Sequence, residues 1–337
     1  MLKVSVIMPI YQTREDFLRS AIDSVLTQSF TDFEFLILND SPNCTYLQKI
    51  INSYNDSRIK YYENSERLGI AKSYNRLLEL AQCEYIAMMN HDDISYPHRL
   101  EKQVNYLDTH PEIGVVGSGY KKFGEFNRFK SIINHPKDSQ IRSLFLFKSP
   151  LSHPTVMYRR SVVIENGVRY NDNYISLNDR QFFYDMSKYT KLANISEVLY
   201  KYRFHSQMAS KIYHPEIIAE KYMFNNLWLK DNNIDFSQAE RDILNNYITN
   251  GRCKIKDVST MQEIADVLDK LYTINIRQKI LPVEEFTNVC IHYLVKRSWN
   301  ALIYGKINPN NIIKNSLLSQ QSNMLLNICN LALLWRA

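Results

Sequence analysis

Alternating strand and helix patterns over the first 120 residues restrict the fold of this chain more than any other feature. Apolar, β-branched runs at 4–10 and 33–39 are typical of strands buried on both faces. Between them, residues 14–27 carry apolar side chains at helical spacing. The alternation continues through four further segments, 46–54, 59–63, 67–82 and 84–90. This order predicts βαβ units and an α/β fold with a mostly parallel sheet flanked by helices.

The second half of the chain has a different pattern. Strand-like and helical segments are mixed from about 115 to 205, and helical stripes dominate from about 212 onward. A length of 337 residues suffices for two domains, and a hydrophobic content of 45% excludes a disordered chain. We therefore expect an α/β domain over 1–215 and a helical C-terminal region over 216–337.

Charge and cysteine usage exclude several classes of protein. A net charge of +6 is too small for a nucleic-acid-binding signature, so we expect no nucleic-acid partner. The five cysteines are widely spaced and form no C-x-x-C pair, which favours reduced thiols in the cytoplasm. The N-terminus reads as a buried strand rather than a secretory signal, and no apolar run is long enough to span a bilayer.

Polar clusters follow two of the predicted strands, where open α/β sheets bind their ligands. Asp92 and Asp93 are adjacent carboxylates, which a divalent cation would hold together against their mutual repulsion. A solvated loop or a helix N-cap is the alternative interpretation. Asp40 lies where it could contact a nucleobase, although its surroundings also read as a simple turn. Arg67 could face a diphosphate at a helix entrance or could be an ordinary surface residue.

Several ordered motifs together resemble the bacterial family 2 glycosyltransferases, which have the Rossmann-like GT-A fold. The first three are VSVIMPIYQ at 4–12, FEFLILNDSPN at 33–43 and the stretch from NSERLGIAKSYN to PEIGVVGS at 64–118. The segments SHPTVMYRRSVVIENG at 152–167 and YRFHSQMAS at 202–210 match later landmarks of the family. The resemblance covers residues 1 to about 210 and implies that this part binds a nucleotide sugar and carries out catalysis.

The resemblance implies roles for the first two strand ends. Pro9, Ile10 and Tyr11 match one uracil-binding element of the family, and Asp40 matches the other. Arg67 would lie beside the nucleotide.

The resemblance also implies a metal site. Asn90-His91-Asp92-Asp93 stands where the family usually has Asp-x-Asp-Asp, so Asn90 replaces the first carboxylate of that nucleotide-binding motif. Asp93 would bind a Mn²⁺ or Mg²⁺ that bridges the diphosphate, and Asp92 would contact the ribose or the same ion.

Later motifs match the family's base and its Tyr-Arg-x-His segment. The segment ISLNDRQFFYDM places Asp179 as the catalytic base, with Asn178 in the position of the family's glutamate; the nearby rivals are Asp172 and Asp185. Asp179 could instead be only a helix N-cap. In the later segment, Arg203 would contact the donor.

His205 would complete the metal site or touch the diphosphate, and the alternative is a packed histidine on a loop. His153 would be structural or would face the acceptor.

The family resemblance implies a metal-dependent inverting glycosyltransferase. It would move a hexose, with glucose or galactose favoured and an N-acetylhexosamine next, from a UDP-sugar to a polyprenyl-diphosphate-linked saccharide. Such a reaction belongs to O-antigen, lipopolysaccharide or capsule synthesis. Asn90 and Asn178 keep open an inactive nucleotide-sugar-binding regulator or scaffold. A nucleotidyltransferase is disfavoured, because IMPIYQTRED lacks the glycines and lysine of a phosphate loop.

The C-terminal tail is basic and amphipathic. No acidic residue follows Glu285, and residues 316–337 carry an apolar stripe at helical spacing. Such a tail suits peripheral contact with an anionic membrane at its cytoplasmic face. A helix packed on the catalytic domain, with a solvated basic face, is the alternative.

Overall fold

The computed structural model describes residues 2–125, 130–206, 214–250 and 253–321. The chain divides into two compact units. The N-terminal unit runs to Ile141 and resumes over Ser149–Ile217. The C-terminal unit combines Arg142–Lys148 with the chain from Ile218 onward. The packing of a unit does not show what it binds or catalyses. The domains predicted over 1–215 and 216–337, with their roles, therefore stay predictions.

Over the described residues, the N-terminal unit is built on a nine-stranded sheet. Its strands are β1 (Val4–Ile10), β2 (Phe33–Asn39), β3 (Ile59–Glu63), β4 (Tyr85–Met88), β5 (Ile94–Ser95), β6 (Ile113–Gly124), β7 (Ser131–Ile132), β8 (Met157–Arg159) and β9 (Lys191–Phe204). The strand order is β3-β2-β1-β4-β8-β6-β9-β5, and β7 pairs with β6. Neighbouring strands are parallel from β3 to β4, and β6 and β9 are also parallel. The short strands β5, β7 and β8 pair antiparallel with their neighbours.

Helices connect these strands. They are α1 (Glu15–Leu26), α2 (Thr45–Asn52), α3 (Ile70–Leu80), α4 (Arg99–Thr109), α5 (Asp138–Leu144), α6 (Arg160–Glu165) and α7 (Asn178–Met186). Strands β1 and β2 are buried along their whole length, as their mainly apolar runs predict, and the polar Ser5, Glu34 and Asn39 are buried with them. Helix α1 buries the stripe formed by Phe17, Leu18, Ala21, Ile22 and Val25. The predicted α/β class with a mostly parallel sheet, flanking helices and a helical C-terminal region is confirmed.

The C-terminal unit is helical over the described residues. It contains α8 (His214–Asp231) from Ile218 onward, α9 (Gln238–Ile243), α10 (Val258–Gln278), α11 (Val283–Asn300) and α12 (Asn310–Asn315). Helices α9 and α11 each continue into a π-helical turn, over Leu244–Thr249 and Ala301–Gly305. A capping box at Ser237 and Glu240 begins α9, and Asp257 caps α10.

Two sequence predictions concern membranes. Among the described residues, every helix is too short or too polar to cross a bilayer. The amphipathic tail predicted over 316–337 lies outside the described residues from 322 onward. Its contact with a membrane therefore stays a prediction.

Candidate active site

The C-terminal ends of β1, β2 and β4 lie at one edge of the sheet, because these strands are parallel neighbours in register. Ile10 pairs with Asn39, and Ile7 pairs with Met88. The polar residues predicted to bind the donor follow these ends within a few positions. The topology therefore brings the predicted nucleotide-binding segments and the Asn90–Asp93 turn to the same edge, where open α/β sheets bind ligands.

Asp40 holds the loop between β3 and α3. Its buried carboxylate accepts hydrogen bonds from Asn64 Nδ2 at 2.7 Å, from the N–H of Leu68 at 2.7 Å and from the N–H of Gly69 at 2.9 Å. Gly69 has φ +84°, a conformation that glycine adopts without strain. The carboxylate is thus committed to positioning this loop. The uracil contact predicted for Asp40 stays a prediction.

Tyr11 and Arg67 pair across the same loop. Pro9 and Ile10 are buried within β1, whereas Tyr11 is half-buried just beyond it. The guanidinium of Arg67 lies 4.3 Å from the centroid of the Tyr11 ring. This cation–π contact places the positive charge of Arg67 at the sheet edge, beside the predicted nucleotide-binding segment.

Asp92 contacts the His205 segment at the end of β9. His205 Nε2 lies 2.9 Å from Asp92 Oδ2, and the two side chains are 12% and 19% exposed. Arg203 Nε donates to the Asp92 carbonyl at 2.6 Å, and its guanidinium packs against the rings of Phe17 and Phe123. Burial alone would raise the pKa of Asp92, but the hydrogen bond from His205 and the nearby imidazoles lower it.

Asp93 points into the protein. It is 1% exposed, and it accepts hydrogen bonds from the N–H of Arg203 at 2.7 Å and from Asn90 Nδ2 at 3.0 Å. Burial and the negative charge of Asp92 raise the pKa of Asp93 well above its ordinary value. Asn90 therefore acts as a donor to the neighbouring carboxylate, which an aspartate at this position could not do when ionised.

Asp92 and His205 supply two ligand types that a divalent cation accepts, a carboxylate and an imidazole, and imidazole suits Mn²⁺ better than Mg²⁺. In this structure His205 Nε2 and Asp92 Oδ2 are hydrogen-bonded to each other, and both atoms would have to turn to an ion for it to bind. The described residues contain no group of three or more His, Cys, Asp or Glu side chains arranged to bind a metal. An ion here would complete its shell with diphosphate oxygens and water. Asp93, predicted as a ligand, has both oxygens hydrogen-bonded, so its metal role stays a prediction.

Asp179 lies in the first turn of α7. It is half-buried, and its Oδ1 accepts the N–H of Arg180 at 2.6 Å. Asn178, in the position of the family's glutamate, is 6% exposed and its Nδ2 is buried without a hydrogen-bond partner. The rivals are placed differently, since Asp172 is exposed and Asp185 pairs with Lys188 at 2.9 Å. The base role predicted for Asp179 stays a prediction.

An aromatic cluster behind these carboxylates was not predicted from the sequence. Tyr74 stacks on Tyr170, and His153 contacts the edges of both rings. His153 Nε2 lies 2.9 Å from the Tyr170 hydroxyl, and burial lowers the pKa of His153 to about 3. Asn75 clamps the Tyr170 backbone with two hydrogen bonds of 2.8 Å. Aromatic residues at uneven spacing give no sequence signal, and only the tertiary fold brings them together.

Comparisons with known proteins bear on the family and the fold of this chain. The model of the family described as glycosyl transferase family 2 matches residues 5–167. An uncharacterized glycosyltransferase of Methanocaldococcus jannaschii is 31% identical over 207 residues, covering 59% of this chain and 70% of the relative. The O-antigen biosynthesis glycosyltransferase WbnJ of Escherichia coli is 29% identical over 215 residues, covering 62% and 82%. The crystal structure of S. aureus TarS 1–349 with UDP-GlcNAc superposes with a TM-score of 0.59, at 16% identity over 92% of each chain.

Proposed function

This chain belongs to glycosyltransferase family 2, and we propose that it transfers a hexose from a UDP-sugar to a polyprenyl-diphosphate-linked saccharide with inversion of configuration. The S. aureus neighbour binds UDP-GlcNAc and UDP, which supports a uridine nucleotide as donor. The E. coli relative acts in O-antigen biosynthesis and an Erwinia amylovora relative acts in amylovoran biosynthesis, which supports a role in surface polysaccharide assembly.

The observation that carries this proposal is a chain of contacts from the Asn90–Asp93 turn to α7. The Tyr74 hydroxyl donates to Asn90 Oδ1 at 3.4 Å, and the Tyr74 ring stacks on Tyr170. Tyr170 in turn stacks on Phe182 of α7, with ring centroids 3.9 Å apart. Burial, followed by the carboxylates of Asp92 and Asp179, raises the pKa of Tyr74, which is consistent with both segments lying near this ring. A base and a cation-binding group in one site are what a direct sugar transfer needs.

In the proposed mechanism, the donor lies along the ends of β1 and β2, beside Tyr11 and Arg67. Asp92 and His205 would hold a Mn²⁺ or Mg²⁺, which stabilises the negative charge of the departing diphosphate. Arg203 holds the Asp92 backbone in place. Asp179 accepts the proton of the acceptor hydroxyl as that oxygen attacks the anomeric carbon from the face opposite the diphosphate. A single displacement of this kind inverts the anomeric configuration.

Substitution of the proposed base tests this function. We expect Asp179→Asn to lower transfer by about a thousandfold, because a general base contributes roughly 10²–10⁴-fold. UDP release would be measured with UDP-glucose, UDP-galactose and UDP-GlcNAc, with and without a synthetic prenyl-diphosphate-linked sugar. Donor affinity, measured by thermal shift with Mn²⁺, should change by no more than a few fold.

Asp185→Asn is the matched control, since it removes the same charge from the same helix. Transfer by this variant should remain close to that of the wild type. Loss of transfer in Asp185→Asn with normal turnover in Asp179→Asn would give the base role to Asp185. If no sugar nucleotide is turned over by the wild-type protein but one of them binds, the scaffold alternative replaces the transferase.

A further inference from the structure

The C-terminal unit gathers positive charge on two segments that contain no acidic residue. No aspartate or glutamate occurs between Asp138 and Glu165, or anywhere after Glu285. These two stretches contribute the segment Arg142–Lys148 and most of α11 to this unit. Cations on these two segments therefore have no carboxylate nearby in sequence to neutralise them.

Aromatic packing brings the two segments together within the unit. The ring of Phe147 stacks on Tyr293, with centroids 4.5 Å apart, and also contacts Phe286. Lys148 follows Phe147 directly, and its exposed ammonium group lies close enough to that of Lys296 for the two charges to repel each other. Lys296 and Arg297 lie three and four residues after Tyr293, one helical turn further along α11. Lys296 Nζ is 5.5 Å from the centroid of the same ring.

We call Lys148, Lys296 and Arg297 the cation cluster. Across the described residues, none of the three has a carboxylate within ion-pair distance. Both lysines reach solvent, whereas Arg297 is 1% exposed. Partial burial lowers the pKa of Lys148 and of Lys296, and the neighbouring cation of the cluster lowers each one further.

Arg297 has fewer hydrogen-bond partners than a buried guanidinium normally has. Its Nη2 reaches the carbonyl of Ile248 at only 3.5 Å, and its Nε is buried without a hydrogen-bond partner. A buried charged group normally has a full set of partners, because an unpaired donor in the interior is costly. A buried positive charge without a carboxylate partner, close to the solvent-accessible ammonium group of Lys296, produces a local field suited to an anion.

We infer that the cation cluster is a binding site for a phosphate-bearing ligand. Two lysine ammonium groups would contact the phosphate oxygens, and the charge of Arg297 would stabilise the anion from below. A dianionic phosphate or a diphosphate matches the three positive charges better than a single carboxylate does. The phosphate could belong to a soluble metabolite or to a lipid headgroup. The inference does not depend on the proposed transfer reaction, because it uses no residue of the candidate active site.

The test needs a residue-specific signal, since the proposed donor site would also bind a diphosphate. Lysines of the full chain would be ¹³C-dimethylated, which keeps their charge, and followed by NMR. The signals of Lys148 and Lys296 would be assigned from Lys148→Arg and Lys296→Arg. On addition of inorganic pyrophosphate we expect both signals to shift and both pKa values to rise. Lys254 is the control, because it also lies over a tyrosine ring, 4.9 Å from that of Tyr304.

Substitutions of the exposed lysines then measure their contribution. Lys148→Met should weaken pyrophosphate binding about tenfold when it is read at Lys296, and Lys296→Met should do the same when read at Lys148. Lys254→Met should leave both affinities unchanged. Equal shifts at Lys254 and the cluster lysines, or no shift at any of them with pyrophosphate or vesicles, would overturn the inference.

Vesicles distinguish the two sources of phosphate. Phosphatidylcholine vesicles with and without phosphatidylglycerol would be added in place of pyrophosphate. Shifts at Lys148 and Lys296 with the anionic vesicles alone would identify a lipid headgroup as the ligand. Shifts with pyrophosphate alone would identify a soluble phosphate. Both outcomes can be measured even if the protein shows no transferase activity. Failure of the proposed function would therefore be distinguishable from failure of this inference.

Discussion

Each unit of this protein buries an arginine, and the two arginines differ in how completely they are hydrogen-bonded. In the N-terminal unit, Arg99 is 1% exposed, and it donates to Gln103 Oε1 at 3.0 Å and to the carbonyls of Met88 and Val156 at 2.8 and 3.3 Å. In the C-terminal unit, Arg297 is equally buried, but its Nε has no partner. Neither guanidinium forms an ion pair with a carboxylate in the described residues. The difference between them therefore lies in how completely hydrogen bonds satisfy the charge.

This contrast separates a structural charge from one available for binding. Arg99 braces the end of β4 just before the Asn90–Asp93 turn, and its guanidinium lies 5.2 Å from the Tyr200 ring. Burial lowers the pKa of Arg99 to about 10, while the nearby Asp93 charge favours its protonated form. Its partners hold the turn in a fixed position, as an active site requires. Arg297 does not hold a turn in place in this way. We therefore infer that its charge serves to bind a ligand.

The largest expected effect is that of Arg99→Met on stability. Removal of the guanidinium takes a donor from three buried acceptors, of which only the Val156 carbonyl is known to keep another, the N–H of Met88 at 2.9 Å, and each loss costs about 1 kcal/mol. We expect the free energy of unfolding, measured by urea denaturation, to fall by about 3 kcal/mol. Transfer activity should fall as well, because the turn that carries Asp92 loses its brace. A loss below about 1 kcal/mol would contradict the bracing role.

A smaller effect is expected at Glu34, another buried charge of the N-terminal unit. This carboxylate is 2% exposed, and it accepts hydrogen bonds from Lys60 Nζ and Ser5 Oγ, both at 2.6 Å. Burial alone would raise the pKa of Glu34, but these hydrogen bonds lower it below its ordinary value. A lowered folded-state pKa adds stability above about pH 4.5, and this is lost as the pH falls through the folded-state value.

We therefore expect Glu34→Gln to lower the free energy of unfolding by about 1–2 kcal/mol at pH 7. The difference in free energy of unfolding between the variant and the wild type should become smaller as the pH falls below about 4.5. Glu15→Gln is the matched control, because the Glu15–Arg19 pair is exposed and joins residues four apart on α1. It should change stability by less than about 0.5 kcal/mol. A gap of the same size at pH 7 and pH 3.5 would disprove the charged interaction.

Much of the N-terminal unit could be predicted from the sequence. The mainly apolar runs specify β1 and β2 at the observed bounds, and the strand predicted at 59–63 is the observed β3. Pairing was harder to predict. Nothing local in 191–204 indicates that β9 lies parallel to β6, far away in sequence, or that β8 is inserted antiparallel between β4 and β6.

Side-chain orientation in the candidate site could not be predicted either. The Asp92-Asp93 pair identifies the place, but adjacent residues in a turn face different surroundings. Which of the two contacts His205 depends on the path of β9. The sequence likewise placed Asp40 at a strand end, but not the β3–α3 loop that its carboxylate holds. Both details come from long-range contacts that no local pattern contains.

The smallest expected effect, that of Arg297→Met, decides whether the two units truly differ. A methionine of similar length fills the space of the arginine stem and removes an unpaired donor from the interior. Replacing a poorly satisfied buried charge with an apolar group is often neutral or stabilising. We expect the free energy of unfolding to stay within about 1 kcal/mol of the wild-type value, in contrast to the loss from Arg99→Met. The same substitution should weaken pyrophosphate binding at Lys296. A destabilisation as large as that of Arg99→Met would show that Arg297 is a structural charge too, and its charge would then not be available to a ligand.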